Sequence, residues 1–275
     1  MGAYEALREQ YLDYPIEVSI ESLALCNARC TFCPYPTLDR KGERMPDEML
    51  DRLIVELISW QRPMYFSPFK VNEPLLDKRT IPVCERINRE SPDVVLRIFT
   101  NGAALTPDKV EQIAGLKKVA HLWVSLNSHI PEEYERVMGM DFERTAKRLD
   151  YLHAQEFPHN VVLSTVGYPN EDFRFYCWQR WPRFESVAIK RDSWLGYVDA
   201  QKKEIPDTPC SRWFELSVMA NGVVSLCCMD SEGKYAIGDV SKNTLLDVYN
   251  SPGWRDRREK LVSRKTIHPC STCSY

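Results

Sequence analysis

Ten cysteines are the residues of this 275-residue chain whose type and spacing could do chemistry. Their positions are 26, 30, 33, 84, 177, 210, 227, 228, 270 and 273. In a reducing compartment, clustered thiols bind metal or do redox work more often than they form disulfides. Seven of the ten fall into two spaced groups. The function is therefore expected to lie with these two groups.

The first group places three thiols within eight residues, Cys26-Asn-Ala-Arg-Cys30-Thr-Phe-Cys33. Three thiolates close together suit a soft metal centre. A cubane cluster has four irons, so three protein ligands leave one iron free for a substrate or cofactor. The alternative is a structural zinc site, which normally takes four protein ligands. No nearby His or Cys in the sequence offers an obvious fourth.

This loop resembles the C-x3-C-x2-C signature of the radical S-adenosylmethionine (SAM) superfamily, in which an aromatic residue, here Phe32, precedes the last cysteine. The resemblance implies that Cys26, Cys30 and Cys33 hold a [4Fe–4S] cluster whose open iron binds SAM. An electron from that cluster would cleave the sulfonium to a 5′-deoxyadenosyl radical, which abstracts hydrogen from a substrate. The resemblance covers about residues 16–195.

Later parts of the chain agree with the same family. Asn72-Glu73-Pro74 resembles the family's Gly-Glu-Pro, which contacts the SAM amino group, although Asn72 departs from the usual glycine. The SAM contacts that the resemblance implies are Phe32, Glu73, Asn101, Ser125, Asn127 and Arg136. Singly, each could be a loop acid, a turn or a capping residue. Most of them, however, fall at the C-terminal ends of successive predicted strands, the edge where barrels assemble active sites.

The second group resembles the C-terminal auxiliary-cluster domain called twitch, a shortened relative of the SPASM domain. Its members are Cys210, Cys227, Cys270 and Cys273. Four thiolates complete a [4Fe–4S] site with no open iron, but four cysteines are also a structural zinc pattern. Cys228 would point to the opposite strand face from Cys227, so we interpret it as a buried thiol. Cys84 and Cys177 lie on predicted helices and are interpreted as core residues.

The overall layout is most similar to the small twitch dehydrogenases of aminoglycoside and aminocyclitol biosynthesis. Arg191 and Asp192 follow the sixth predicted strand and are the candidates to grip and deprotonate a polar substrate. About 15 residues precede the first strand, which favours a small molecule over a leader-carrying peptide. The resemblance implies oxidation of a hydroxyl carbon, with a flavodoxin or ferredoxin as reductant. Alternatives are a redox-neutral or reductive epimerase or decarboxylase, a peptide-modifying SPASM enzyme, or a cluster protein without catalysis.

Composition excludes several other classes of protein. The net charge of −3 argues against a basic surface for nucleic acid or anionic lipid. No stretch approaches the ~18 apolar residues needed to span a bilayer, and the N-terminus has no apolar core like that of a signal peptide. We therefore expect a soluble, cytoplasmic protein without nucleic-acid or membrane partners.

The elements that must position these residues alternate between strand and helix. Strand-like runs are predicted at Ile16–Leu25, Met64–Phe69, Val94–Thr100, Ala120–Leu126, Val161–Val166 and Ser186–Lys190. Helices are predicted after Pro46 and at Thr80–Glu90, Pro107–Leu116, Phe142–Gln155 and Glu171–Arg180. This alternation predicts an α/β fold with a partial (β/α)6 TIM-like barrel.

After Asp199 the pattern changes. Asn221-Gly222 lies between two apolar runs and predicts a β-hairpin, and a helical stretch follows from about Thr244. We expect an N-terminal extension at 1–15, a radical SAM core at 16–199 and a twitch-like domain at 200–275.

Overall fold

Six parallel strands form most of the sheet in the computed structural model, which describes residues 2–167, 170–200 and 204–273. The strands are β1 (Glu17–Ile20), β2 (Met64–Ser67), β3 (Val94–Thr100), β4 (Val119–Ser125), β5 (Val161–Val166) and β6 (Glu185–Ile189). They are hydrogen-bonded in sequential order, each parallel to the next. This order is that of an open barrel built from consecutive β–α units. The predicted partial barrel is confirmed.

Seven helices lie between or before these strands in the described part of the chain. They are α1 (Ala3–Tyr11), α2 (Asp47–Ser59), α3 (Thr80–Glu90), α4 (Pro107–Ala114), α5 (Pro131–Met138), α6 (Phe142–Ala154) and α7 (Glu171–Arg180). Helix α2 buries Leu50, Leu53, Ile54 and Leu57, which recur at the spacing of one helix face. The sequence did not predict α1 or α5. Helix α5 begins with a proline in its first turn and ends at Gly139, whose φ of 64° is the usual left-handed helix end.

The C-terminal region continues the barrel sheet. Strand β7 (Glu215–Val218) pairs in parallel with β1. Strand β8 (Val223–Ser225) pairs antiparallel with β7, and β9 (Gly238–Asp239) pairs antiparallel with β8. The hairpin predicted around Gly222 is thus present, and the φ of 88° at Gly222 suits its turn. Helices α8 (Leu245–Tyr249) and α9 (Pro252–Glu259) follow.

One hydrophobic core joins the barrel to the C-terminal region. It contains Val18 and Ile20 of β1 together with Leu216 and Val218 of β7 and Trp254 of α9. The predicted boundary near residue 200 therefore divides the chain within a shared sheet and core, and it stays a prediction. Across residues 2–167, 170–200 and 204–273, each helix is too short or too polar to cross a membrane.

Candidate active site

A cavity of about 790 Å³ opens at the carboxyl edge of the barrel strands, and the first three thiols line it. Cys26, Cys30 and Cys33 lie in the loop that follows β1. Two backbone hydrogen bonds hold this loop against the end of α5, from Arg29 N–H to the Met138 carbonyl (2.8 Å) and from Thr31 N–H to the Val137 carbonyl (2.9 Å). The helix that the sequence did not predict thus supports the thiol loop.

The three thiols have the chemistry of metal ligands and are partly shielded from solvent. Burial raises the pKa of Cys26 to about 12 and that of Cys33 to about 11. Burial, and then the charges of Cys33 and Cys26, raise the pKa of Cys30 as well. Thiolate is the form that binds metal, so cluster assembly must release these protons. Three soft donors on one cavity wall fit a cluster with one open coordination position.

Glu73 is a buried carboxylate on the same cavity, with 2 % of its surface exposed. It accepts hydrogen bonds from the Asn101 backbone N–H (2.6 Å), the Thr100 hydroxyl (2.8 Å) and the Leu75 backbone N–H (3.1 Å). Burial nevertheless raises its pKa to about 7, against the lowering effect of those donors and of Lys109. A carboxylate that is costly to ionise here would be stabilised by a cationic or N–H-donating ligand.

Four other predicted contacts also line the cavity: Phe32, Asn101, Ser125 and Asn127. The Asn101 amide donates to the side-chain oxygen of Asn27 (2.7 Å) in the thiol loop. Asn127 adopts a φ of 63° and donates to Met138 Sδ (2.9 Å).

Among the described residues that line this cavity, Asn72 Nδ2 and Asn127 Oδ1 are buried side-chain amide atoms without a hydrogen-bond partner. One is a donor and the other an acceptor. Asn72 is the residue that stands where the family usually has glycine. An amino acid moiety with ammonium and carboxylate groups would use both kinds of atom, so the site fits SAM.

Arg136 and Arg191 lie outside the set of described residues that line the cavity. The Arg136 side chain is 71 % exposed and lies 3.6 Å from Glu133 on α5. Arg191 is exposed and donates to the Thr31 carbonyl (3.2 Å) in the thiol loop. Asp192, the other predicted substrate residue, does line the cavity.

The second group of thiols lines a smaller cavity that lies beside the large one. Cys210, Cys227, Cys270 and Cys273, the four residues that the resemblance singled out, all line it. Burial raises the pKa of Cys210 to about 11, against the lowering effect of Arg264, and the Trp213 indole donates to the Cys270 thiol. Four thiols around one cavity fit a fully ligated cluster. Among the described residues, no three His, Cys, Asp or Glu side chains converge on the position of a single metal ion.

The two cavities share a wall. Arg212, Met229 and Arg264 line both of them. Cys228, unlike its neighbour Cys227, faces the large cavity.

Sequence reasoning missed most of the charged lining of the large cavity. The residues are Glu17, Lys70, Lys190, Glu204, Arg212, Glu215 and Arg264. On β1 the charged Glu17 precedes the apolar Val18, and such alternation predicts that the charged side chain faces solvent. Inside an open barrel that side chain lines the cavity instead.

The comparisons with known proteins agree with this geometry. Residues 20–174 match the family model of the radical SAM superfamily, and residues 210–274 match that of the iron–sulfur cluster-binding SPASM domain. No protein of curated function matches the chain.

Several solved structures share the fold. BtrN in complex with AdoMet and 2-DOIA is 17 % identical, with 94 % of this chain and 93 % of that chain covered and a TM-score of 0.65. SuiB from Streptococcus suis bound to precursor peptide SuiA is 14 % identical, with 98 % and 72 % covered and a TM-score of 0.69. Native anSMEcpe with bound AdoMet is 13 % identical, with 90 % and 83 % covered and a TM-score of 0.67. Identities this low show likeness of fold alone.

Proposed function

The chain belongs to the radical SAM superfamily, and we propose that it oxidises a hydroxyl-bearing carbon of a small polar substrate, an aminocyclitol or sugar-like intermediate of natural-product biosynthesis. Its cofactors are a [4Fe–4S] cluster, SAM and an auxiliary iron–sulfur centre. When bound, these groups supply the 5′-deoxyadenosyl radical that takes a hydrogen atom and an acceptor for the remaining electron. We assign Cys26, Cys30 and Cys33 to the first cluster, and Cys210, Cys227, Cys270 and Cys273 to one auxiliary cluster.

The observation that carries the proposal is the wall shared by the two cavities. Converting an alcohol carbon to a carbonyl removes one hydrogen atom, one proton and one electron. The electron must leave the cavity, and among the described residues Arg212, Met229 and Arg264 line both this cavity and the one that the four thiols face. A redox-neutral reaction would need no electron sink at this wall. The arrangement therefore favours oxidation.

The hydroxyl proton needs an acceptor, and two carboxylates on the cavity wall are candidates. Asp192 follows β6, as the sequence predicted. Glu215 begins β7, and burial is the main cause that raises its pKa, against the lowering effect of Arg212. A carboxylate with a raised pKa is a stronger base than one in water. Arg212, which donates to both Glu215 oxygens (2.9 and 3.1 Å), would hold the carboxylate in place.

The cavity supports a small substrate. Its volume of about 790 Å³ lies in the range of small-molecule sites, and SAM must occupy part of it. Phe69, Phe99 and Trp123 add aromatic lining to the cavity beside its charged groups, which suits the carbon face of a ring that carries polar substituents. Similarity over nearly the full length of both chains to BtrN, solved with 2-DOIA, also supports this choice. The reductant would be a flavodoxin or ferredoxin.

A second candidate function is favoured by Cys228. Its thiol lies on the large cavity, and burial is the main cause that raises its pKa, so it stays protonated. An S–H group can return a hydrogen atom to a substrate carbon radical, which gives an epimer rather than an oxidised product. The sulfur radical left behind would then take one electron and one proton, supplied by the reductant and solvent.

Mass spectrometry of turnover in D₂O separates the two functions. Reduced, cluster-loaded protein is incubated with SAM and a panel of aminocyclitols and amino sugars. Oxidation gives a product that has lost two hydrogens and contains no carbon-bound deuterium. Epimerisation through the exchangeable Cys228 thiol gives a product with one deuterium on carbon. If the protein oxidises its substrate, the Cys228→Ser variant should form the same oxidised product. If the parent protein instead gives a deuterated product and the Cys228→Ser variant does not, the proposed oxidation is wrong and Cys228 is the hydrogen donor.

A further inference from the structure

One buried cation has no role in the proposed reaction. Lys70 lies in the loop after β2, three residues before Glu73, and 2 % of its surface is exposed. Its Nζ donates to the Ser225 hydroxyl (2.8 Å), the Asp230 carbonyl (2.9 Å) and the Cys227 carbonyl (3.3 Å). An ammonium has three donors, so each is used, and each acceptor is uncharged.

The three acceptors belong to one segment, 225–230, which contains the auxiliary ligand Cys227. The backbone of Lys70 is also held in place, because its N–H donates to Asn72 Oδ1 (3.0 Å) in the loop that ends at Glu73. A single side chain therefore joins the loop of the SAM site to a ligand of the auxiliary site.

A carboxylate that contacts the residue after Lys70 is already engaged. Glu21 is fully buried and binds Arg40, and it also accepts from the Val71 N–H (3.2 Å). Arg40 in turn donates to the Ser231 carbonyl (2.7 Å). Arg40 thus holds the same region while it is paired with carboxylates, Glu21 and, at 4.0 Å, Glu232. Lys70 instead brings a positive charge without a hydrogen-bonded counter-charge among the described residues.

Burying an uncompensated charge is costly, so an anion is expected beside Lys70. A cluster held by four thiolates has a net negative charge that increases on reduction. A fixed cation next to a ligand stabilises the reduced form more than the oxidised form, and local charge is one of the factors that set the potential of such clusters.

We propose that Lys70 is a positioning residue that provides the counter-charge of the auxiliary cluster, holding the Cys227 segment against the SAM loop and raising the midpoint potential of that cluster. The inference rests on the proposed function only in taking Cys227 as an auxiliary ligand. It gives the cluster a potential suited to accept the substrate's electron.

The test measures a potential and needs neither SAM nor substrate. The full chain with Cys26, Cys30 and Cys33 changed to Ala should keep only the auxiliary cluster, whose midpoint potential is determined by a titration followed by electron paramagnetic resonance. Adding Lys70→Met should lower the midpoint potential of the auxiliary cluster by ~59 mV, which corresponds to about a tenfold change in its one-electron reduction equilibrium. Lys70→Arg, which keeps the charge, should have the same midpoint potential as the protein with Lys70.

Lys190→Met is the matched control, because it removes a cavity cation carried by the loop after β6 instead. A Lys70→Met protein that holds its irons with an unchanged potential would overturn the proposal, as would an equal change in the control. If the methionine variant does not fold, Lys70→Gln gives the same comparison. Absence of an oxidised product would contradict the proposed function but would leave this result untouched.

Discussion

Glu73→Gln should weaken SAM binding without weakening the fold, because the two depend on the carboxylate in opposite directions. Burial raises the Glu73 pKa from 4.5 to about 7. Between these two values the folded protein binds a proton that the unfolded chain does not, so stability falls as the pH rises. Above pH 7 the full cost is reached, ~3 kcal/mol at ~1.4 kcal/mol for each pKa unit.

A glutamine avoids this cost but loses an acceptor. Thr100 and Leu75 donate to Oε1, and the Asn101 N–H donates to Oε2, where the amide NH₂ would stand. An unsatisfied buried N–H costs ~1–3 kcal/mol. Above pH 7 the free energy of unfolding of the variant should therefore equal that of the parent or exceed it by up to ~2 kcal/mol.

SAM binding should respond differently. Loss of one charge-assisted hydrogen bond to the SAM amino group costs ~1.5–3 kcal/mol, which weakens binding by roughly 10- to 150-fold. Urea unfolding at pH 8 gives the stability, and anaerobic titration of the cluster-loaded protein gives the affinity.

Glu21→Gln is the matched control for Glu73→Gln. It removes a buried carboxylate that is paired with Arg40 and lies outside the described lining of the cavity. Breaking that pair should cost ~3–5 kcal/mol of stability and leave SAM affinity unchanged. A Glu73→Gln protein that is destabilised like this control and binds SAM normally would refute the reasoning.

Three further sets of variants test other parts of the site. Cys30→Ala should abolish 5′-deoxyadenosine formation, measured by chromatography, because the open iron needs all three thiols; retained SAM cleavage would remove Cys30 from the ligand set. Asp192→Asn or Glu215→Gln should lower product formation by ~10²–10⁴-fold while sparing SAM cleavage, whichever residue accepts the proton; normal product from both would exclude a carboxylate base at these positions. Arg136→Ala should leave SAM affinity unchanged, because the side chain is exposed; a tenfold loss would show that Arg136 contacts SAM.

Local sequence signals predicted the barrel well. The strand Val94–Thr100 and the helix Thr80–Glu90 have the predicted bounds, because alternating and helical apolar spacings are properties of each segment alone. Helix α5 was missed because it is short and mostly polar, burying only Tyr134 and Met138.

Features that depend on distant parts of the chain could not be predicted. The Asn221-Gly222 turn indicated the hairpin, but nothing local showed that β7 would pair with β1 about 200 residues away. The thiols were found because their spacing is distinctive. Lys70 was not, because a lysine in a loop usually faces water, and its partners lie in segment 225–230, more than 150 residues away in the chain.

The iron content of two proteins tests the central claim, that two separate sets of thiols hold two clusters, most directly. Each cubane holds four irons, so the reconstituted chain should contain about eight irons. With Cys26, Cys30 and Cys33 changed to Ala it should contain about four irons and form no 5′-deoxyadenosine. Circular dichroism would confirm that the variant is folded. A folded triple variant that contains one zinc and no iron would contradict the account, because the second set of thiols would then be a structural site that cannot accept an electron.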